Sequence, residues 1–204
     1  MLKLHCAPNT ISVVAMTLTE AHLDWQPVMV DFRSAAQTKP AYLAINPKGR
    51  VPTLETPDGL LTETGAILDY IGALAPAAGL IPTDPFKAGK MREVMYYLAS
   101  TMHPAHAHKM RGARWASEKA SFDDMRANVP RTMGECSTYL ENHVNFGPFV
   151  LGDRISLADP YLYVITTWLN GDGVEIADYP KLAAFAAAMS ARASVIKARE
   201  MGLL

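Results

Sequence analysis

The amino-acid sequence predicts an α/β domain followed by an all-helical domain, and three observations support this fold class. Short apolar segments of strand length alternate with helical stretches in the first 75 residues. Residues 75–87 (APAAGLIPTDPFK) then hold three prolines and one glycine, a composition typical of a linker. After them, Ala-, Met- and Leu-rich segments with high helix propensity follow one another. We therefore expect domains at residues 1–77 and 88–204, joined by a linker at residues 78–87.

The first domain should begin with a βαβ unit. Residues 2–6 (LKLHC) and 27–31 (PVMVD) have the length and composition of strands, and a helical stretch from about residue 11 to residue 21 separates them. Because two strands joined through a helix run parallel when they pair, this order predicts a sheet that is partly parallel.

A β-hairpin and an amphipathic helix should complete the first domain. A turn at residues 57–59 (PDG) separates short strands at residues 52–55 and at about 60–62, and this spacing is typical of a hairpin. The helix that begins near Thr64 carries apolar residues at offsets that place them on one face. We expect that face to be buried, and it comprises Ile67, Leu68, Ile71 and Leu74.

The second half carries a helix-capping motif at residues 152–159 (GDRISLAD). In a capping box, the Ser156 hydroxyl accepts from the backbone N–H of Asp159, and the Asp159 carboxylate reaches back to the Ser156 N–H. Pro160 removes one intrahelical hydrogen bond, and the cap should offset that loss. We interpret this motif as structural.

The overall composition excludes several functional classes. The 204 residues are 50% hydrophobic, with 19 Lys and Arg against 20 Asp and Glu, which argues against a disordered chain and a nucleic-acid-binding chain. The sequence shows neither the apolar core of a signal peptide nor an uninterrupted apolar run of membrane-spanning length. We therefore expect a cytoplasmic protein that binds neither nucleic acid nor membranes.

The two cysteines, Cys6 and Cys136, are far apart and have no second pair. This spacing argues against a disulfide framework and against a cysteine-based zinc site. Cys6 alternates with Leu2 and Leu4 along the first strand, so we expect its thiol to lie in the core.

Four motifs occur together and in order: residues 46–54 (NPKGRVPTL), 62–67 (TETGAI), 152–159 (GDRISLAD) and 179–185 (YPKLAAF). With them, the chain resembles the cytosolic glutathione transferases over nearly its whole length. The resemblance implies a thioredoxin-like N-terminal domain (βαβ-ββα), an all-helical domain that binds the electrophile, and a role in detoxification. It also implies a homodimer, whose interface we expect to use the methionine-rich helix around residues 91–110.

Two residue pairs should hold glutathione. Pro52 belongs at a strand start or an exposed edge, because proline cannot donate to a sheet ladder. The resemblance implies a cis Val51–Pro52 bond and pairing of the Val51 backbone with the cysteinyl unit of glutathione, like an added strand. It also implies that Glu63 and Thr64 hold the γ-glutamyl end, and free N–H groups at a helix start favour an anion there.

Other glutathione contacts are expected from Asn9, Lys39 and Arg50. The two cations would bind the glycyl carboxylate, and Lys48 is a third, slightly less favoured candidate. The alternative for each of these three side chains is an exposed, solvated position without a ligand.

Catalysis in this family requires the glutathione thiolate, because the thiolate and not the thiol is the nucleophile. Register with the family places Thr10 at the position of a catalytic serine and Ile11 at the position of a catalytic cysteine, which is therefore missing. We expect Thr10 to donate to the thiolate, with Ser12 as the second candidate, although both hydroxyls also suit a plain helix cap.

Three histidines fall within residues 103–109 (HPAHAHK). No carboxylate or thiol accompanies them at ligand spacing, so we expect no metal site. The resemblance implies that this segment lines the electrophile pocket, and the alternative is solvated or structural histidine. The expected pocket residues are Pro8, His103, His106, His108 and Trp168.

The sequence thus favours an enzyme that joins the glutathione thiolate to a small hydrophobic electrophile, with glutathione as co-substrate and no further cofactor. Isomerisation, dehalogenation and peroxide reduction remain open as reactions of the same thiolate. The alternative function is a glutathione-binding or regulatory module of the same fold that lacks efficient thiolate activation, because one scaffold carries several functions.

Overall fold

The computed structural model describes residues 1–7 and 12–204, which form two compact units. The first unit comprises Met1–Thr83 and Ser190–Leu204, and the second comprises Asp84–Met189. Within these described residues, no helix is long and apolar enough to cross a membrane.

The elements follow the predicted order of types, apart from one short helix at Pro40–Leu43 that the sequence does not predict. The first unit holds β1 (Leu2–Cys6), α1 (Ser12–Glu20), β2 (Trp25–Met29), α2 (Pro40–Leu43), β3 (Thr53–Thr56), β4 (Gly59–Thr62) and α3 (Thr64–Leu74). The helices that follow are α4 (Pro85–Tyr97), α5 (His103–Arg111), α6 (Lys119–His143), α7 (Ala158–Thr166), α8 (Pro180–Ser190) and α9 (Ala193–Glu200). The prediction of an α/β half followed by a helical half is confirmed.

The four strands form one mixed sheet in the order β2-β1-β3-β4. β1 is parallel to β2 and antiparallel to β3, and β3 is antiparallel to β4. The expected partly parallel sheet is thus confirmed. β2 begins at Trp25, two residues before the predicted start, because pairing with β1 sets its register and Trp25 lies opposite Leu2. Pro27 is tolerated inside this strand because β2 is at the edge of the sheet.

The apolar face of α3 is buried except at its end. Ile67, Leu68 and Ile71 are fully buried, as the helical spacing predicts. Leu74 is 47% exposed, which corrects the prediction for that residue. It is the last residue of α3 and lines a surface groove that Met1 also lines.

The C-terminal segment packs with the first unit rather than with the helical one. The sequence-based boundary assigns residues 190–204 to the second domain, but α9 contacts α1. Arg192 makes a two-pronged ion pair with Glu20 at the end of α1, with both N···O distances at 2.6 Å, and the Ser194 hydroxyl donates to the same carboxylate. Helix periodicity cannot reveal a partner so distant in sequence.

The Glu20 contacts predict a pH-dependent contribution to stability. Burial raises the pKa of Glu20, but the hydrogen bonds from Arg192 and Ser194 outweigh that effect and hold the pKa below its ordinary value. A lowered folded-state pKa stabilises the fold above the unfolded pKa, and this stabilisation disappears as the pH falls through the folded value.

Glu20→Gln should therefore lower the free energy of unfolding at pH 7 by about 1.5–3 kcal/mol, the contribution of a charged hydrogen bond. The difference from wild type should shrink as the pH falls below about 4. Urea denaturation at several pH values measures both effects. The matched control is Glu135→Gln in the exposed Arg131–Glu135 pair, where we expect a loss of at most about 0.5 kcal/mol. Equal losses in the two variants would contradict this assignment.

The helical unit begins earlier than the sequence-based boundary. Residues 78–87 have the composition of a linker, but α4 begins at Pro85. Asp84 caps the helix, because its carboxylate accepts from the backbone N–H of Lys87, and Pro85 occupies the first helical position, where its missing N–H costs nothing.

A π-helical segment, Leu98–Met102, separates α4 from α5. Pro104 stands at the second position of α5, and a proline inside a continuous helix would clash with the carbonyl four residues earlier. The π-helical segment therefore falls where Pro104 interrupts the α-helical hydrogen-bond pattern.

The capping motif closes around a fully buried carboxylate. One oxygen of Asp159 accepts from the Ser156 N–H and hydroxyl, both at 2.7 Å, and the other accepts from the Val150 N–H at 2.7 Å. The predicted reach of the carboxylate back to the Ser156 N–H is confirmed. The predicted role of the Ser156 hydroxyl is wrong, because it donates to the carboxylate, and the Asp159 N–H donates to the Ser156 carbonyl instead. Pro160 is the third residue of α7, where a backbone N–H has no intrahelical partner in any case.

The methionines of the 91–110 segment are mostly core residues. Met91, Met95 and Met102 are buried within the single chain, and only Met110 among these four is exposed. The expectation that several methionines here pack against a second copy is therefore wrong for three of the four.

Candidate active site

One end of β1, one end of β3 and one end of β4 lie side by side in the sheet of the first unit. Thr53, the first residue of β3, pairs with Thr62, the last residue of β4, and also with His5 near the end of β1. Val51 and Pro52 lead into β3, and Glu63 and Thr64 follow β4. The hairpin register therefore brings the two predicted glutathione-binding pairs to the same end of the hairpin.

A polar network holds the loop before Val51. The Arg50 carbonyl accepts from the Tyr42 hydroxyl at 2.8 Å and from the Asn46 amide at 2.6 Å. The same amide donates to the Thr53 hydroxyl at 3.1 Å, so the loop is tied to the start of β3. Tyr42 and Asn46 are buried, which makes these bonds costly to leave unmade. The Val51–Pro52 peptide bond is cis, as the family resemblance implies.

Gly49 is required within this loop. Its φ of +60° lies in the left-handed region, and its N–H donates to the Asn46 carbonyl at 2.9 Å. A Cβ at this position would lie 3.1 Å from the carbonyl oxygen of Gln37. Any other residue would therefore strain the turn that presents Val51.

The start of α3 has the geometry of an anion site. Glu63 adopts φ +70°, a strained conformation for a residue with a side chain, and its carbonyl accepts from the Ile67 N–H. Thr64 is the first helical residue and is partly exposed. The N–H groups of the first helical turn have no intrahelical acceptor, and the helix dipole adds positive potential there. A carboxylate would find donors at this position.

Lys48 is the cation that the structure brings to Glu63. Its ammonium lies 2.5 Å from the Glu63 carboxylate and 2.7 Å from the Thr62 hydroxyl. Lys39 and Arg50 are exposed and take part in the fold through their backbone: Lys39 precedes α2, and the Arg50 carbonyl belongs to the loop network. Their contacts with glutathione remain predictions.

In the sequence, the two predicted thiolate donors lie just before the start of α1 and at its first residue. Pro8, Asn9 and Thr10 lie outside the described residues. Ser12 is described, and its hydroxyl is fully buried without a hydrogen-bond partner within the described part of the chain. A buried hydroxyl cannot meet a ligand without rearrangement, so this observation favours Thr10 over Ser12.

Cys6 is a core residue, as predicted. It is fully buried, and burial raises the pKa of its thiol to about 11. Its sulfur lies 3.8 Å from that of Met29. A thiol with this pKa is protonated at neutral pH, so Cys6 is not a nucleophile.

A second cluster of predicted residues forms within the helical unit. His106 stacks on Trp168 with ring centres 4.1 Å apart, and His103 meets the same indole edge-on at 5.1 Å. The His103 Nδ1 atom lies 3.1 Å from the Tyr161 hydroxyl. Burial lowers the pKa of His103 to about 4, with smaller effects from His106 and Arg114, so this imidazole is neutral at pH 7.

His108 is separated from the other two histidines. His103 and His106 are three residues apart and share a helix face, whereas His108 turns to another side and packs edge-on against Trp115 at 4.5 Å. Within the described residues, no group of three or more His, Cys, Asp or Glu side chains is arranged to hold a metal ion.

Family models and relatives match this chain over most of its length. A model described as the glutathione S-transferase N-terminal domain matches residues 8–79, and the corresponding C-terminal domain model matches residues 107–198. A glutathione S-transferase from Pseudomonas putida is 30% identical over 191 residues, which cover 91% of this chain and 82% of the relative. The chain belongs to the glutathione transferase family.

Other members of the family differ in their reactions. A maleylacetoacetate isomerase from Pseudomonas aeruginosa is 28% identical over 83% of this chain and 81% of its own. A crystal structure of a glutathione transferase homologue from Sulfitobacter, with bound glutathione, is 58% identical, covers 100% of this chain and 99% of its own, and superposes with a TM-score of 0.98. Membership of the family therefore indicates a reaction that uses glutathione, but it does not identify the electrophile.

Three residues of these two clusters have no role in the sequence-based predictions. Tyr42 and Asn46 hold the loop before Val51, and Asp172 pairs with His106 in the helical unit. Asn46 opens the 46–54 motif, and its position before Pro47 is a turn signal that could indicate a side-chain role. Asp172 lies in a short Gly171-Asp-Gly173 turn that has no periodicity to place it.

Proposed function

We propose that this protein is an enzyme that stabilises the thiolate of bound glutathione and joins its sulfur to a small, mostly apolar electrophile. Val51 and Pro52 bind the cysteinyl unit, and Glu63 and Thr64 bind the γ-glutamyl end. Thr10 donates to the thiolate. Glutathione is the co-substrate, and the enzyme works as a homodimer in the cytoplasm.

The observation that carries this proposal is the convergence of the two glutathione-binding pairs. The Thr53–Thr62 pair places the loop that presents Val51 beside the start of α3. An extended tripeptide with a carboxylate at one end matches this arrangement, because exposed backbone suits its middle and a helix start suits its anion. The Sulfitobacter homologue, which binds glutathione, supports the same ligand.

The electrophile binds in the helical unit against Trp168 and the histidines of α5. Trp168 and His106 form a stacked aromatic pair, and His103 is neutral, so the lining suits an apolar compound. His108 packs on Trp115 instead, so the proposed lining is limited to Trp168, His103 and His106. Isomerisation is a second candidate reaction of the same thiolate, because one of the relatives is a maleylacetoacetate isomerase.

The competing function is a glutathione-binding module without efficient thiolate activation. The burial of the Ser12 hydroxyl favours it, because this burial removes the second candidate donor. The two functions therefore differ in whether Thr10 lowers the pKa of the bound glutathione thiol.

Titration calorimetry with glutathione and with cysteinylglycine tests the proposal. The dipeptide lacks the γ-glutamyl group that Glu63 and Thr64 would hold, so glutathione should bind and the dipeptide should bind much more weakly. Turnover of 1-chloro-2,4-dinitrobenzene should accompany binding. Equal affinity for the two thiols, or no affinity for either, would overturn the proposed site.

A further inference from the structure

A buried carboxylate organises the cluster around His106. The Asp172 side chain is fully buried, and its Oδ2 atom lies 2.6 Å from His106 Nδ1. Its Oδ1 atom lies 3.1 Å from the Lys109 ammonium, which also donates to the Gly171 carbonyl. The side chain of His106 itself remains 28% exposed. A buried carboxylate thus supports a histidine that reaches the surface of the helical unit.

These contacts fix which nitrogen of His106 can exchange a proton. An ionised carboxylate only accepts hydrogen bonds, so Nδ1 must carry a hydrogen in either charge state of the ring. Nε2 is then the position where a proton is gained or lost. The stack on Trp168 fixes the plane of the ring, so Nε2 points in a defined direction. The arrangement is that of an oriented proton donor or acceptor.

We propose that His106 is a catalytic proton donor for glutathione addition to α,β-unsaturated carbonyl compounds, and that Asp172 is its positioning residue. This inference rests on the proposed function, since it requires an electrophile bound against Trp168. Neighbouring His103 does not take this role, because its Nδ1 atom contacts Tyr161 and the low pKa leaves it neutral at pH 7.

The proposed step balances without an added reagent. The thiolate sulfur bonds to the β-carbon, the C=C π pair moves toward the carbonyl, and an enolate forms. His106 Nε2–H gives its proton to the enolate, which leaves a neutral imidazole and the saturated thioether. The proton that the next glutathione thiol releases on ionisation restores the imidazolium through solvent. Asp172 stabilises the positive ring and keeps Nδ1 protonated.

Two electrophiles separate this role from general damage to the site. Addition to 4-phenyl-3-buten-2-one requires protonation of an enolate. Substitution on 1-chloro-2,4-dinitrobenzene expels chloride, and no atom of the product takes up a proton. With saturating glutathione, His106→Asn should lower kcat for the enone by about 10²- to 10⁴-fold, the usual contribution of general acid catalysis. kcat for the aryl chloride should fall much less, and KM should change by a similar factor for both electrophiles, because both lose the same ring from the binding surface.

Matched variants keep the test decisive. Asp172→Asn should lower kcat for the enone by a smaller factor, and should lower kcat for the aryl chloride less still. His106→Gln replaces His106→Asn if that variant does not fold. His108→Asn is the control, because His108 lies on the same helix but packs on Trp115, and both rates should be unchanged. Equal losses for the two electrophiles, or no loss in a folded His106 variant, would overturn the inference alone. A wild-type protein that conjugates neither compound would overturn the proposed function as well.

Discussion

Thr64→Val should weaken glutathione binding by about tenfold to hundredfold. Valine has the shape of threonine and a similar helix propensity, so the variant removes the hydroxyl at the start of α3 and little else. A hydrogen bond to a charged group contributes about 1.5–3 kcal/mol, and each 1.4 kcal/mol corresponds to about tenfold in affinity. Calorimetric titration of both proteins with glutathione measures the difference.

The control for Thr64 is Thr56→Val, at the opposite end of the same hairpin. The Thr56 hydroxyl donates to the Gly59 carbonyl, so this variant also loses a threonine hydrogen bond. Its affinity for glutathione should equal that of wild type. A Thr64→Val protein that binds as tightly as wild type would show that the γ-glutamyl group does not lie at the start of α3.

Asp159→Ala should lower the free energy of unfolding by about 3–5 kcal/mol. The change leaves three buried donors without their acceptor, namely the N–H groups of Val150 and Ser156 and the Ser156 hydroxyl. Each unsatisfied buried group costs about 1–3 kcal/mol. Asp159→Asn keeps one acceptor oxygen and should lose less. Urea denaturation followed by circular dichroism measures both.

The matched control is Asp153→Ala, because Asp153 belongs to the same 152–159 motif but is exposed. Its effect should stay within about 0.5 kcal/mol, as is usual for surface positions. A comparable loss in the two alanine variants would mean that the motif acts through its loop rather than through the buried carboxylate.

The local features of the site can be predicted from the sequence because short-range chemistry determines them. Pro52 has no N–H to donate to a neighbouring strand, so it must precede β3. The PDG turn sets the position of the hairpin, and the apolar helical pattern begins at Thr64. Once the two strands pair, the binding pairs on either side of them must converge. The motifs therefore suffice to place Val51 and Thr64 at the same end of the hairpin.

The features that cannot be predicted depend on contacts between distant parts of the chain. Asp172 reaches His106 across 66 positions, and Arg192 reaches Glu20 across 172. Periodicity places a residue on a face of its own helix but does not identify the partner of that face. This limit also explains why the sequence suggests an interface for Met91 and Met95, which are instead buried in the core.

A spectroscopic pH titration of the bound thiol tests most directly the central claim, which is that bound glutathione becomes a thiolate. The thiolate absorbs in the ultraviolet, so its fraction can be followed in the complex. We predict a bound-thiol pKa about one to two units below the free value of about 8.5. Thr10→Val should return it toward that value, and Ser12→Ala should leave it lowered, because the Ser12 hydroxyl is buried. Tight binding with an unshifted thiol pKa in the wild-type protein would contradict the claim and identify a binding module instead.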